Sequence, residues 1–199
     1  MTEKKPYFVH ESASVHEDAD IGNGTSIWHF THIRERVTIG ENCNIGQNVY
    51  IAPGVVIGNG VKIQNNVSVY EGVTIEDYVF VGPSAVFTNI KIPRSAFPRR
   101  DQYVSTLVKR GATIGANATV VCGGTLGEGC FIAAGAVVTG DIPPYALMMG
   151  ARAERTGWRC ECGEKIVFDE TTGQGACVAC PRCYHKESDR VTPIVENED

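Results

Sequence analysis

A bulky apolar residue recurs at every sixth position of this chain, first from Val9 to Phe87 and again from Val108 to Val138. Neither an α-helix nor an ordinary strand has this period, because helices align residues at spacings of three and four and strands at spacings of two. A period of six instead describes one short strand and one turn, repeated along a solenoid. The repeat residues are Val9, Val15, Ile21, Ile27, Ile33, Ile39, Ile45, Ile51, Ile57, Ile63, Val69, Ile75, Val81, Phe87, Val108, Ile114, Val120, Leu126, Ile132 and Val138.

A second inward position follows most of the repeat residues by four places and carries a small or β-branched side chain, such as Thr25, Val37 or Cys43. Glycine often follows the repeat residue directly, as in Ile39-Gly40, and we expect Gly or Asn to relieve turns that need positive φ. Three six-residue units would form a triangular coil of about eighteen residues. The sequence therefore predicts an all-β parallel β-helix of roughly six or seven coils, running from residue 9 to about residue 142 with a loop excursion at 90–107.

Charge and hydropathy limit the partners of the chain. Its net charge is −5, yet six Lys and Arg residues lie between positions 90 and 110 against one acid, Asp101. This basic cluster is too narrow for nucleic acid but suits a small phosphate-bearing ligand; solvated loop charges are the alternative interpretation. The N-terminal residues lack the apolar segment of a signal peptide, and no apolar run is long enough to span a membrane. We therefore expect a cytoplasmic protein with neither a nucleic acid nor a membrane as partner.

Two histidines and one asparagine are candidate catalytic residues. His29 and His32, beside Trp28, lie at positions that the repeat directs outward. A neutral imidazole suits general base catalysis near pH 7, and structural hydrogen bonding at an interface is the alternative role. Asn89 stands where the repeat stops and the excursion begins, and loops on a rigid scaffold often carry function.

The repeat resembles that of the left-handed parallel β-helix acyltransferases, and the left hand comes from this resemblance alone. Three segments make the resemblance more specific: Trp28-His29-Phe30, Phe87-Thr88-Asn89 and the run from Gly111 to Gly123. Over about residues 8–160 the chain is similar to bacterial N-acetyltransferases of nucleotide-linked 3-amino sugars. The closest similarity is to those that act on UDP-2-acetamido-3-amino-2,3-dideoxy-glucuronate.

The resemblance implies a homotrimer with active sites between subunits, where the sugar C3 amine attacks the thioester of acetyl-CoA. Such enzymes serve the biosynthesis of surface polysaccharides such as lipopolysaccharide O-antigen. Asn89 would position the amine or the thioester, and His29 or His32 would be secondary catalytic candidates. The residues expected to bind acetyl-CoA are Lys109, Arg110, Gly115, Ala116, Gly123, Ala133 and Ala134. The residues expected to bind the nucleotide sugar are Asn65, Tyr70, Arg94 and Arg99.

Two alternative functions remain open. N-acetyltransferases of dTDP-linked 3-amino-3,6-dideoxyhexoses share nearly all of these motifs. A uronate acceptor would need a cation for its carboxylate, such as Arg34, Arg36 or an arginine of the excursion. A non-enzymatic β-helix scaffold, with a cysteine module that binds a partner, would have no affinity for acetyl-CoA. The interrupted register at 87–108 speaks against the scaffold, because a pure scaffold has no reason to leave the coil there.

Five of the eight cysteines lie near the C-terminus, in Cys160-Glu161-Cys162, Cys177 and Cys180-Pro181-Arg182-Cys183. Two cysteine pairs at such a separation are typical of a four-thiolate structural zinc site, and so small a segment is rarely stable by burial alone. Free thiols in a disordered tail and disulfides are the alternatives, and Cys177 is an alternative ligand. We predict a β-helix domain at 1–157 with its coil ending near Pro143-Pro144, a zinc-knuckle-like module at 158–185 and a disordered tail at 186–199. The predicted zinc ligands are Cys160, Cys162, Cys180 and Cys183.

Overall fold

The structure, a computed structural model, describes residues 6–96, 98, 100–151 and 154–194. These residues form 26 short strands and one 3₁₀ helix, Arg100–Gln102. No helix among the described residues is long and apolar enough to cross a membrane.

The strands of the repeat region are mostly two residues long and follow one another at intervals of six. Before the excursion they are β1 (Phe8–Val9), β2 (Ser14–Val15), β3 (Asp20–Ile21), β4 (Ser26–Ile27), β5 (His32–Ile33), β6 (Thr38–Ile39), β7 (Asn44–Ile45), β8 (Tyr50–Ile51), β9 (Val56–Ile57), β10 (Lys62–Ile63), β11 (Ser68–Val69), β12 (Val73–Ile75), β13 (Phe80–Val81) and β14 (Val86–Phe87). After it they are β15 (Thr106–Val108), β16 (Thr113–Ile114), β17 (Thr119–Val120), β18 (Thr125–Leu126), β19 (Phe131–Ile132), β20 (Val137–Val138) and β21 (Ala146–Met149).

Successive strands belong to three different parallel sheets, which form the walls of a triangular solenoid. Wall 1 has the order β1-β4-β7-β10-β13-β16-β19-β21, wall 2 the order β2-β5-β8-β11-β14-β17-β20, and wall 3 the order β3-β6-β9-β12-β15-β18. Each strand pairs with the strand one coil later in register, so that Ile27 lies opposite Ile45 and Ile45 opposite Ile63. The predicted parallel β-helix of hexapeptide repeats is confirmed. We call the turns from wall 1 to wall 2 the first corner, those from wall 2 to wall 3 the second corner, and those from wall 3 to wall 1 the third corner.

The interior is a stack of the repeat residues. Ile27, Ile45, Ile51 and Ile63 are fully buried, and burial of each such side chain is worth about 1.5–3 kcal/mol relative to exposure. The second inward position is also buried from the second coil onward. The Thr31 hydroxyl there donates to the Gly46 carbonyl at 2.7 Å, whereas the buried Thr106 hydroxyl, opposite Val73, has no hydrogen-bond partner among the described residues.

Glycines that directly follow a repeat residue do not occupy the positive-φ positions of the turns; they have a different role. Positive φ falls two residues later, for example at Gly24 (φ 71°) and Asn42 (φ 55°). Gly82, which directly follows Val81, lies where consecutive coils touch: a Cβ there would be 2.6 Å from the backbone nitrogen of Ala116. Only glycine allows this approach between coils.

The excursion is shorter than predicted, and the ladder extends beyond the two prolines. Thr106 and Leu107 belong to β15, because both pair with β12. β21 pairs parallel with β19 and then antiparallel with β22 (Glu154–Trp158), so the prediction that the coil ends near Pro143-Pro144 is wrong. Pro143 lies in the third corner. The backbone N–H that a proline lacks would there donate to a further coil on wall 3, and the described residues form no such coil, so the proline does not interrupt the ladder.

The C-terminal module is an antiparallel sheet of β23 (Ile166–Phe168), β24 (Gln174–Cys177), β25 (Cys183–Glu187) and β26 (Arg190–Ile194). The prediction of a disordered tail from 186 is therefore wrong up to residue 194. β25 and β26 form a hairpin in which Ser188 takes positive φ and Val191 is buried. The rest of the predicted tail, 195–199, lies outside the described residues.

We expect Gly82→Ala to lower the free energy of unfolding by about 1–3 kcal/mol, because its methyl group would force adjacent coils apart. Gly157→Ala is the matched control, since a Cβ at Gly157 meets nothing within 4 Å. Urea unfolding followed by circular dichroism measures both variants. Equal stability of the two would contradict the assigned role of Gly82.

Candidate active site

The predicted site residues lie on different corners of the β-helix. His32 lies on wall 2, paired with Ser14 on one side and Tyr50 on the other. Arg99 lies outside the described residues. By the order of the walls, the first corner holds His29, Asn65, Gly115, Ala116, Ala133 and Ala134; the second holds Tyr70, Asn89, Arg94 and Gly123; and the third holds Lys109 and Arg110. A whole wall separates any two corners, so one subunit does not bring all of these residues together.

The first corner is a continuous edge whose character changes along the solenoid axis. Its turns are joined by backbone hydrogen bonds from coil to coil, from the His29 carbonyl at one end to the Ala116 carbonyl near the other. The early coils carry the large side chains of Trp28, His29 and Phe30, whereas the last coils carry Ala133 and Ala134. The late part of this corner therefore offers a linear molecule close access to the backbone.

His29 belongs to a small cluster that sequence reasoning did not assemble. Its ring centroid lies 3.5 Å from that of His10, with 31° between the planes. Ser12 fixes His10, because its backbone N–H donates to His10 Nδ1 at 3.2 Å and its Oγ lies 2.9 Å from the same atom. The Ser12 Oγ also accepts the Phe30 N–H at 3.1 Å. The sequence did contain a signal for this contact: His10 directly follows the repeat residue Val9, which places it on the same corner as His29, one coil earlier.

Asn65 has a structural role within the coil. Its Oδ1 accepts the backbone N–H of Gln47 at 2.9 Å, as Asn59 Oδ1 does for Glu41 on the third corner. Asn65 is exposed, yet its acceptor oxygen is already used by the turn below. A substrate contact of Asn65 would therefore involve its side-chain amide nitrogen.

The excursion brings Asn89 and Arg94 together. The chain leaves the second corner at Asn89 and is closed by a hydrogen bond from the Val104 N–H to the Asn89 carbonyl at 2.8 Å. Asn89, Arg94 and Tyr103 line a cavity of about 450 Å³ formed by the excursion. This cavity joins one predicted catalytic residue to one predicted substrate residue.

Gly123 and Tyr70 flank the excursion on neighbouring coils. A Cβ on Gly123 would lie 3.2 Å from Lys91 Nζ and 3.0 Å from Val104 Cγ1, so the excursion folds back over this turn. Lys91 therefore places an ammonium group at the second corner, a position that the sequence pattern alone did not single out. Tyr70 is exposed, and its ring centroid lies 6.4 Å from that of Tyr50 on wall 2.

Lys109 and Arg110 make contacts of their own on the third corner. Lys109 Nζ lies 2.7 Å from Glu76 Oε1, and the Arg110 backbone N–H donates to Glu76 Oε2 at 2.9 Å. The hydrogen bond from Lys109 holds the pKa of Glu76 below its ordinary value. The Arg110 guanidinium lies 5.0 Å over the Tyr78 ring. The structure thus separates both cations from the small residues of the first corner.

Two family models describing this repeat match the chain. "Hexapeptide repeat of succinyl-transferase" matches residues 36–71 and 110–140, and "Bacterial transferase hexapeptide (six repeats)" matches 18–53 and 54–89. Together they match more than half of the chain. This chain belongs to the hexapeptide-repeat transferases. The resemblance of its sequence to this family is thereby confirmed.

Two curated relatives of this hexapeptide-repeat transferase are N-acetyltransferases by name. The dTDP-3-amino-3,6-dideoxy-alpha-D-galactopyranose 3-N-acetyltransferase of Aneurinibacillus thermoaerophilus is 44% identical over 95 residues, which are 48% of each protein. The 2,3,4,5-tetrahydropyridine-2,6-dicarboxylate N-acetyltransferase of Staphylococcus aureus strain JH9 is 37% identical over 76 residues, 38% of this chain and 29% of the relative. The chain thus spans less than half the length of these relatives.

A solved structure has a similar fold. The acetyltransferase domain of PglB from Neisseria gonorrhoeae FA1090, in complex with acetyl coenzyme A, superposes with a TM-score of 0.52. The match covers 75% of this chain and 57% of that domain at 22% identity. At this level of identity the likeness concerns the fold.

We expect Glu76→Gln to reduce stability at pH 7 by less than about 1 kcal/mol, because the ion pair with Lys109 is only partly buried and remains accessible to solvent. The pKa of Glu76 is depressed in the folded state, so its contribution is present above its ordinary value of 4.5 and is lost as the pH falls through the lower folded value. The difference between variant and wild type should therefore shrink between pH 5 and pH 3. Urea titrations across this range test it, with Glu71→Gln, an exposed glutamate of the second corner, as the control. A difference that grows on acidification would contradict this role of the pair.

Proposed function

We propose that the protein is an N-acetyltransferase that moves the acetyl group of acetyl-CoA to the amine of a nucleotide-linked 3-amino sugar. The observation that carries the proposal is the cavity of about 450 Å³ at the second corner, where the excursion joins Asn89 to Arg94. The N-acetyltransferase names of both curated relatives support the reaction class.

The late first corner is suited to the pantetheine arm of acetyl-CoA. The pantetheine arm is long and linear, and Ala116, Ala133 and Ala134 carry no atoms beyond Cβ that would obstruct it. When bound, acetyl-CoA supplies an activated thioester. Lys109 and Arg110 lie on the third corner, so they would contact phosphate groups of acetyl-CoA where its nucleotide end extends to the third corner of a subunit.

A homotrimer resolves the separation of the corners. The small residues lie on the first corner and the Asn89 cavity on the second, and one wall of the same subunit lies between them. In a threefold assembly the first corner of one subunit can face the second corner of its neighbour. We therefore place the proposed active sites between subunits, as the family resemblance implies.

The transfer requires positioning more than acid–base chemistry. The neutral C3 amine attacks the thioester carbon, a C–N bond forms and the C–S bond breaks. The amine loses one proton and the departing thiolate gains one. Holding the amine about 3 Å from the carbon can supply much of the rate enhancement. The Asn89 side-chain amide would donate a hydrogen bond to the developing oxyanion. His29, whose ring packs against that of His10, is the secondary catalytic candidate and would accept the proton that the amine loses.

Two acceptor sugars are proposed, each on its own observation. Arg94 in the excursion cavity suits the carboxylate of a UDP-linked 3-amino uronate, whereas Arg34 already donates to Glu35 at 3.1 Å. The 44% identical relative favours a dTDP-linked 3-amino-3,6-dideoxyhexose. Either product would enter a surface polysaccharide. The predicted zinc takes no step in this transfer, because the clustered thiols belong to the C-terminal module.

The test is release of the CoA thiol from acetyl-CoA in the presence of each acceptor. Turnover with only the UDP-3-amino-uronate supports the uronate proposal, and turnover with only the dTDP-3-amino-hexose supports the deoxyhexose. Absence of turnover with both, together with no binding of acetyl-CoA in calorimetry, would overturn the enzymatic proposal in favour of a scaffold.

We expect Asn89→Ala to lower kcat about 10²–10³-fold, the usual cost of losing one oxyanion donor. Asn23→Ala, an exposed asparagine on the third corner, should leave kcat unchanged. Steady-state kinetics with the better acceptor measures both. Undiminished turnover of Asn89→Ala would exclude the assigned role.

A further inference from the structure

We propose that Cys160, Cys162, Cys177 and Cys180 bind one zinc ion, which holds the C-terminal module against the last coil of the β-helix. The four sulfurs lie within 4.8 Å of one another. The Cys160–Cys180 and Cys162–Cys177 pairs are 3.5 Å and 3.4 Å apart. A disulfide needs about 2.05 Å, whereas four sulfurs about 2.3 Å from a central zinc lie between three and four ångströms from one another. This inference does not rest on the proposed acetyl transfer.

The ligand set differs from the predicted one in a single cysteine. Cys183 lies in β25 next to Tyr184, and successive residues of a strand point to opposite faces. Tyr184 is fully buried on the side of the cluster, so Cys183 points away and is exposed. Its sulfur lies 3.7 Å from the Pro181 carbonyl instead. Cys177, at the end of β24, provides the fourth sulfur.

Hydrogen-bond donors already surround the sulfurs as a thiolate cluster requires. The Tyr184 hydroxyl donates to Cys160 Sγ at 3.1 Å, and the Ala179 N–H donates to Cys177 Sγ at 3.4 Å. The Arg182 guanidinium lies 3.6 Å from Cys180 Sγ and is itself paired with Glu161 at 3.1 Å. Four thiolates around Zn²⁺ leave a net charge of −2, which these donors and the arginine would offset. Such outer contacts orient the ligands of metal sites.

Tyr184 connects the cluster to the β-helix. Its hydroxyl, which donates to Cys160 Sγ, also accepts the Glu161 N–H at 3.2 Å. Its ring meets Tyr145 edge-on, with centroids 5.3 Å apart. Tyr145 is buried in the last turn of the third corner, and the Arg159 N–H donates to its carbonyl at 2.7 Å. A metal that fixes Cys160 therefore fixes the packing that covers this end of the solenoid.

Burial alone gives the module little stability. Within residues 159–194 the buried apolar side chains are few, chiefly Ile166, Tyr184 and Val191. Segments of this size usually need a metal or disulfides to stay folded. The free energy of zinc binding by four cysteines is large enough to act as folding free energy.

The first measurement is the zinc content of freshly purified full-length protein by mass spectrometry of the metal. We expect one equivalent per chain in the wild type and in the matched control Cys183→Ser, and less than half an equivalent in Cys177→Ser. Less than half an equivalent in the wild type, or loss in Cys183→Ser with retention in Cys177→Ser, would overturn the proposal.

Two further measurements keep the proposal testable if Cys177→Ser does not fold. Chelation of the wild type should make four additional thiols reactive to a colorimetric thiol reagent while the far-ultraviolet spectrum of the β-helix persists. An intact mass four hydrogens short of the reduced chain, with no zinc, would instead show disulfides and refute the site. Tyr184→Phe should retain one equivalent of zinc but lower the temperature of the first unfolding transition. An unchanged transition would refute the link to the last coil.

Discussion

The β-helix depends on parallel strands that stack in register at intervals of one coil. Each repeat residue lies over its counterpart in the previous coil, so the backbone groups of the short strands pair with those of the neighbouring coil. This stacking demands a bulky apolar side chain inside, a small neighbour where the coils touch and a left-handed conformation at the turn. The outward positions are less constrained: some, such as Asn65, join neighbouring coils by a hydrogen bond, and side chains for binding can occupy others.

Two corners show how this freedom is used. Large aromatic and imidazole groups occupy the first corner in the early coils, whereas in the last two coils it carries only alanine, glycine and Asn117. Phe30 adopts positive φ (55°) at a turn position where the later coils have Asn, Ser84 or Gly. Phe30 shares this conformation with nine other non-glycine residues among those that the structure describes. On the second corner, the register gives way at Asn89 to a loop that closes on itself through Val104 and forms a cavity.

The C-terminal module follows a different stabilising principle. The β-helix gains its stability from a long apolar interior, whereas the module has a small interior and a cluster of four thiols. The two meet at Tyr145 and Tyr184, and this contact is one through which a metal ion would act on the end of the solenoid. The contrast explains why a single chain combines a repeat without thiol ligands and a short segment rich in them.

The sequence by itself determined the period, the inward residues and the position of the excursion, because in-register stacking forces every coil to repeat the same spacing. It also located the cysteine module. Only the tertiary structure revealed the role of Gly82 in the contact between coils, since its neighbour Ala116 is distant in sequence and adjacent in space. The same holds for the stack of His10 on His29, for the pairing of Lys109 with Glu76 and for the replacement of Cys183 by Cys177. These contacts depend on which coil lies next and on which face of a strand a side chain points, and neither is visible in the spacing of residues along the chain.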